Sequence, residues 1–367
     1  MPQAASRLER VQGLRVPDWN EDGSLTVNVF TPRRALKDGA VRPVLVWWHG
    51  GGFTSGSGGW DWYGGSRLAA LGDIVVVTAN YRVGPLGYLH LPQIGAANLG
   101  PQDQAAVLRW VQDNIASFGG DPRAVTVGGQ SAGAYSALML ALDPATNGSI
   151  TRVLLQSGPF GLNPQDPHQA AENADAYLRL LGIPDGADTV KALRALPAEQ
   201  LLDAYGRLSV QLAVPGNTAP LMYPVLGAPG MPRPRQQALA DGALEGKQLL
   251  IGTTRDEATA FFAFDPRIQK LTTAGALDVL TAHLGQQAAP GRLPAALRPS
   301  PAGDTGADLH RGADRRPLPR RLASDRRPPC GRRQHHLRLP VRLRPRRGPV
   351  RPGRHPLRRT AFPLRHL

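Results

Sequence analysis

Five short and almost continuously apolar runs, VRPVLVWW (41–48), DIVVVTANY (73–81), AVTVGG (124–129), RVLLQSG (152–158) and KQLLIGTT (247–254), recur along the chain with longer stretches between them. A strand that is apolar at nearly every position has no face to give to water, so it belongs in a sheet covered on both sides. One of the intervening stretches, DQAAVLRWVQDNIASF (103–118), puts Ala106, Leu108, Val111 and Ile115 at helical spacing, and GGDP (119–122) stops it. Strand, helix, strand in that rhythm predicts an α/β fold with a mostly parallel central sheet flanked by helices. Residues 160–245 read as more helical, with ENADAYLRLLG and VKALRALPAEQLLDAYG cut into short pieces by prolines, and are expected to form an excursion over the sheet.

A formal charge of +15 over 367 residues would point to a polyanionic partner if it were evenly spread, and it is not. Residues 286–367 hold 21 arginines, no lysine and 4 aspartates, so residues 1–285 keep 22 basic against 24 acidic side chains. The expectation is a near-neutral globular body, 1–285, and an Arg/Pro-rich tail, 286–367, with the composition of a disordered segment. Cys330 is the one cysteine, which excludes an intrachain disulfide and a cysteine-based metal site. No run reaches the roughly 20 apolar residues of a membrane helix, and MPQAASRLER lacks the apolar core of a signal peptide. No membrane partner is expected, and the sequence reads as cytoplasmic.

Two motifs stand where chemistry can use them. HGGGF (49–53) directly follows the strand VLVWW, and its glycines let the backbone turn sharply and bring bare N–H groups to a ligand, as donors for a developing oxyanion must be. A plain glycine turn has the same look. In GGQSAGA (128–134), Gly129-Gln130-Ser131-Ala132-Gly133 fits G-x-S-x-G at a strand-to-helix junction. Glycines on both sides of Ser131 permit an elbow that lifts its hydroxyl clear of the sheet at a helix N-terminus. A helix-capping serine would satisfy the same letters. The two motifs together, each in its own structural context, form the pattern of serine esterases and lipases.

On these residues the stretch 20–285 resembles the type-B carboxylesterases, the α/β-hydrolase family of bacterial para-nitrobenzyl esterases and cholinesterases. NEDGSLTVNVFTP (20–32), NYRVGPLGYL (80–89), LGPQDQAAVLRWVQDNIASFGGDP (99–122), VLLQSGP (153–159) and IGTTRDEATAFF (251–262) carry the resemblance further. It implies Ser131 as nucleophile, the N–H groups of Gly51, Gly52 and Ala132 as the oxyanion hole, and Glu257 as the acid that orients the catalytic histidine. By position alone Asp256 is an equal candidate for the acid. The implied reaction is two-step hydrolysis of a small carboxylic ester, which needs no metal or organic cofactor. Pocket walls are expected among Trp47, Trp48, Phe53, Trp60, Trp62, Tyr63, Phe160, Phe261 and Phe262, alongside aromatics that serve the core. The chain departs from the family at Gln130, where Glu is common, at Gly23, in place of a common cysteine, and in lacking the segments that usually precede the EDG-like motif. Above all, no G-x-H-x-x-E-L-P-F-x-F-G string follows Glu257, so no triad histidine is identifiable.

The tail offers a reason. Back-translated with CGN and CTN codons and read one nucleotide later, RHPLRRTAFPLRHL (354–367) allows G-T-H-S-A-E-L-P-F-L-F-G-T. The same shift lets QHHLRLPVRLRP (334–345) read N-T-T-Y-V-Y-R-F-D-Y, similar to the family strand before the histidine. Both fall in family order, so a one-nucleotide slip near residues 285–300 is expected, with the histidine codon straddling Pro356 and Leu357. None of His310, His335, His336, His355 or His366 then inherits the role, and the chain as written is nearly inactive. The rival reading is an inactive hydrolase fold whose arginine tail binds nucleic acid or another polyanion. Absence of lysine and a lone aromatic, Phe362, in the tail count against it.

Overall fold

The computed structural model describes residues 2–6, 23–184, 186, 188–214, 217–255, 257, 259–262, 266–272, 274–276, 278, 281 and 341–342. Asp256, Cys330 and the tail apart from Val341–Arg342 lie outside the described residues. Among the described residues seven strands make one sheet, β1 (Thr26–Phe30), β2 (Arg42–Trp48), β3 (Val75–Ala79), β4 (Gly120–Gln130), β5 (Arg152–Gln156), β6 (Gln248–Gly252) and the two-residue β7 (Val341–Arg342). Their order is β6-β5-β4-β2-β3-β1-β7, with β2 to β6 all parallel to one another, β1 antiparallel to β3 and β7 antiparallel to β1. All five of the long apolar runs are strands of the parallel part. From β2 the chain winds outward to β3, then returns to the other side of β2 to lay down β4. The order therefore reverses between β2 and β4, and the crevice at the carboxyl ends of those two strands is where open α/β sheets place their ligands.

Burial explains why these segments form what they do. Every residue of β3 is buried, as an all-apolar strand in a covered sheet must be. Helix α4 (Ala132–Leu142), reading AGAYSALMLAL, is apolar on all sides, and all eleven of its residues are buried. Earlier in the chain come α1 (Ser66–Gly72), the single turn α2 (Pro85–Tyr88) and the long α3 (Leu99–Asn114). Helix α3 starts four residues before the spacing predicts, because Pro101 sits in the first turn, where a missing N–H leaves no helix bond unmade. Its inner face is Gln104, Val107, Leu108 and Val111, continued by Ile115, and Ala106 is only half-buried.

The predicted excursion carries α5 (Pro167–Leu180), α6 (Thr189–Ala195), α7 (Ala198–Gln211) and α8 (Arg235–Ala240). Asn98, fully buried and in a left-handed conformation, ties this segment down. Its amide nitrogen donates to the Val225 carbonyl and its amide oxygen accepts from the Val225 N–H, both at 2.8 Å. Arg82 and Asp103 join NYRVGPLGYL to α3 by a two-pronged ion pair, Nε and Nη2 each 2.8 Å from a carboxylate oxygen. By contrast, β6 is exposed along its whole length, with Leu250 at 67 % and Ile251 at 53 %. Its pairing with β5 leaves apolar side chains in water, a feature natural edge strands avoid.

Two compact units divide the chain. The first, Met1–Ala213 with Asn217–Phe261 and His336–Leu367, contains the sheet and α1 to α8. The second, Val214–Gly216 with Phe262–His335, contains a short helix at Pro266–Gln269. No helix among the described residues is long and apolar enough to cross a membrane.

Candidate active site

Ser131 follows the last residue of β4 and precedes α4, with φ 56° and ψ −123° and no side-chain bond capping the helix. The capping alternative is thereby excluded, and the conformation is one that non-glycine residues adopt only under constraint. Its N–H donates to the Gln156 carbonyl at 2.9 Å, which fixes it to the end of β5. The flanking glycines are needed because the turn is so tight. A Cβ on Gly129 would overlap the Gly133 backbone, and a Cβ on Gly133 would overlap the Trp48 carbonyl oxygen.

Across the reversal point, register pairs Trp48 of β2 with Gly129 of β4, so HGGGF leaves β2 beside the elbow. Gly50 packs directly on it: a Cβ there would lie 3.3 Å from Ser131 Cβ and 2.7 Å from Gln130 Oε1. Gly51 and Gly52 have φ of +117° and +61°, open to glycine and costly to other residues. The Gly51 carbonyl accepts the N–H groups of Thr54 and Ser55, both at 3.1 Å, and their hydroxyls at 3.1 and 3.3 Å. None of these bonds uses the N–H of Gly51 or Gly52. At the other end of the molecule's sequence, Gln3 accepts the Gly56 N–H at 2.5 Å and the Ala4 N–H donates to Thr54, so residues near the start of the chain brace the same loop.

His49, first letter of the motif, is fully buried and stacked on Tyr81 with centroids 4.3 Å apart. Its Nδ1 lies 2.8 Å from the Gly50 carbonyl oxygen, an acceptor only, so Nδ1 carries the proton and Nε2 stays a bare lone pair. Tyr81 closes the arrangement by donating to the His49 carbonyl at 2.7 Å. Burial lowers the imidazole to about 4. An unfolded chain takes up this proton near the ordinary value of about 6.5, so the stability owed to the neutral ring is intact above that pH and is lost as the pH falls towards 4. The His49 ring resonance should titrate near 4 by proton NMR. Urea stability of the wild type should fall between pH 7 and 4 by about 3 kcal/mol more than that of His49→Gln.

Beyond β6, Glu257 is exposed at the surface yet held in place. The Ser157 hydroxyl donates to its carboxylate, and the Thr254 N–H donates to Oε1 at 2.7 Å; these bonds, Ser157 first, lower its pKa. Ser157 itself sits just past β5 at φ 50° and donates its N–H to the Gly252 carbonyl at 2.8 Å. Ladder pairs Gln130 with Gln156 and Gln156 with Gly252 set the ends of β4, β5 and β6 side by side, so Ser131, Ser157 and the Glu257 loop leave one edge of the sheet as neighbours. Ser157 escaped the sequence reading, although a small hydroxyl residue before glycine at the carboxyl end of RVLLQSG was its signal.

Of the aromatic candidates, Trp48 and Phe53 belong to the core, Trp47, Trp60, Tyr63, Phe160 and Phe262 are half-buried, and Trp62 and Phe261 are exposed. Phe53 packs edge-on against Tyr88 and Tyr135, which places it under the elbow and not in a pocket wall.

The carboxylesterase family model matches residues 2–288, and so begins ahead of residue 20, where the resemblance was first legible. The chain is 42% identical over 265 residues to the para-nitrobenzyl esterase of Bacillus subtilis (strain 168), a stretch covering 71% of this chain and 52% of that protein. It is 42% identical over 271 residues to a probable N-octanoylanthranilate hydrolase of Rhodococcus erythropolis, covering 72% and 57%. Among solved structures, the Geobacillus stearothermophilus carboxylesterase superposes with a TM-score of 0.67 at 38% identity, covering 77% of this chain and 57% of that one. The chain thus spans about half the length of the curated relatives it matches. With the glycine turn, the serine elbow and strands β1 to β6 inside the matched residues, the chain belongs to the carboxylesterase family and has the α/β-hydrolase fold.

Proposed function

We propose that this chain carries the serine side of a carboxylic-ester hydrolase. Ser131 attacks the ester carbonyl, the N–H groups of Gly51, Gly52 and Ala132 hold the oxyanion, Glu257 orients a histidine that takes the Ser131 proton, and water later releases the acyl group. The observation that carries the reading is Ser131 at φ 56° with its side chain unused by the helix it precedes. Strain of that kind costs of order 1–3 kcal/mol and persists where a side chain must be aimed. Ala132 heads α4, so its N–H is among the first four that no helix carbonyl can accept. A carboxylate kept ionised by Ser157 suits a partner that becomes imidazolium during the reaction. The names of two relatives, para-nitrobenzyl esterase and N-octanoylanthranilate hydrolase, each contain an aromatic group, and we extend to this chain a substrate with an aromatic ring.

The histidine is assigned to the reading frame one nucleotide away. Two observations support the slip: the family match stops at residue 288, and β6 presents the apolar side chains of a strand built to be covered. The nucleotide sequence of codons 280–367 is the test. A one-base insertion or deletion whose removal restores Y-V-Y-R-F and H-x-x-E-L-P-F supports the proposal, and Ser131→Ala in the corrected chain should abolish para-nitrophenyl acetate hydrolysis. An unbroken frame overturns the slip, and full activity in the Ser131→Ala chain overturns the role of the serine.

A further inference from the structure

The loop after the glycine turn reads GGWDWYGG (58–65), two tryptophans two residues apart with a pair of glycines on either side. Trp62 is 49 % exposed and Trp60 half-buried. The three rings form a cluster, Trp60 nearly parallel to Tyr63 at 6.5 Å and Trp62 edge-on to Trp60 at 5.9 Å. Its far end is fixed, because the Tyr63 hydroxyl is hydrogen-bonded to the Gly50 backbone, and Gly50 is the residue that packs on Ser131. Its near end is fixed too: Asn80 Oδ1, just past β3, accepts from the Ser57 hydroxyl at 3.1 Å and the Gly58 N–H at 3.0 Å. Rings held this firmly lose little entropy when a ligand lies on them, and large apolar area left in water at such a point marks a binding surface.

We infer that Trp60 and Trp62 form the wall on which the aromatic ring of an ester rests while its carbonyl lies at Ser131, an inference that depends on the ester-hydrolase reading. Asp61, exposed between the two indoles, adds a negative charge, which disfavours a ring that carries one of its own. The role of the cluster is selection: an aliphatic group of equal bulk finds apolar area here but no complementary ring faces.

Ligand-observed NMR of the full chain, titrated with 4-nitrobenzyl alcohol and separately with cyclohexylmethanol, tests this without turnover. The double variant Trp60→Leu/Trp62→Leu should weaken the aromatic alcohol about tenfold and leave the cyclohexyl alcohol unchanged, and Trp60→Phe/Trp62→Phe should recover most of the loss. Trp62→Leu alone, at the exposed ring, should melt with the wild type, and because Trp60 is half-buried the melting curve of each double variant is recorded beside its binding curve. No saturable binding of the aromatic alcohol, no loss in the leucine pair, or equal loss for both alcohols overturns the inference. Ser131→Ala should leave ring affinity unaltered, so the hydrolase reading can fail on hydrolysis alone while the ring site stands, and the reverse.

Discussion

Removing the one-nucleotide slip should raise kcat for para-nitrophenyl acetate by about 10⁴-fold or more over the chain as written. The expectation follows from how the members of a triad depend on one another. On the proposed triad, an unactivated Ser131 is a weak nucleophile, and Glu257, however well Ser157 holds it, has nothing to orient until the histidine is present. On the same proposal, what the chain as written keeps is the oxyanion loop and substrate binding, which would act on an ester with or without an activated serine. The same substitution therefore has two expected sizes. In the corrected chain Ser131→Ala should cost on the order of 10⁶ in kcat, whereas in the chain as written it should cost less than about tenfold. Steady-state hydrolysis by the four proteins measures both, and equal rates for corrected and uncorrected chains would sink the assignment of the histidine to the shifted frame.

The parallel half of the sheet was legible because its strands are apolar on both faces, a pattern that few other arrangements tolerate. β1 was not. Its sequence TVNVF puts Asn28 in the middle, and locally that reads as a polar interruption; in the fold Asn28 is buried, donating to the Gly58 carbonyl at 3.3 Å and to Thr78 Oγ1 at 3.2 Å. Both partners are distant in sequence, so no window along the chain contains the reason. The start of α3 was hidden for the opposite cause. Gly100 and Pro101 are breakers by propensity, yet Gly100 must lack a side chain because the Arg82 carbonyl and the Tyr88 ring occupy that space.

The candidate site divides in the same way. HGGGF and GGQSAGA announce themselves because sharp turns demand glycine, and glycine is visible in a sequence. Ser157 does not, and Tyr63 shows only as one aromatic among the candidate walls, since each acts through a hydrogen bond to a residue distant in sequence, Glu257 in one case and Gly50 in the other. His49 was visible as a letter but its work was not: a neutral ring holding the Gly50 carbonyl from a fully buried position follows from burial, which spacing does not report.

A single added methyl group at the elbow should destabilise the protein severely, and the same methyl elsewhere should stabilise it. In Gly133→Ala the new Cβ would fall on the Trp48 carbonyl oxygen, and 2.7 Å from that of His49, both backbone atoms fixed by β2 and its neighbours. Nothing flexible is available to yield, so either α4 lifts from the sheet, uncovering a helix with all eleven residues buried, or β2 shifts against β4. Either movement breaks contacts that the core shares, and the expected cost exceeds about 4 kcal/mol, a large part of the roughly 5–15 kcal/mol that holds a typical domain folded. Gly206, in the middle of α7 and exposed, has nothing within 4 Å of the place its Cβ would take. There alanine only restricts the unfolded chain and favours the helix, so Gly206→Ala should add about 1 kcal/mol. Urea unfolding followed by circular dichroism compares the two directly. A Gly133→Ala chain as stable as the wild type would mean that the strand-to-helix turn is looser than the overlap requires, and with it the claim that Ser131 is held in a strained conformation by its surroundings would fail.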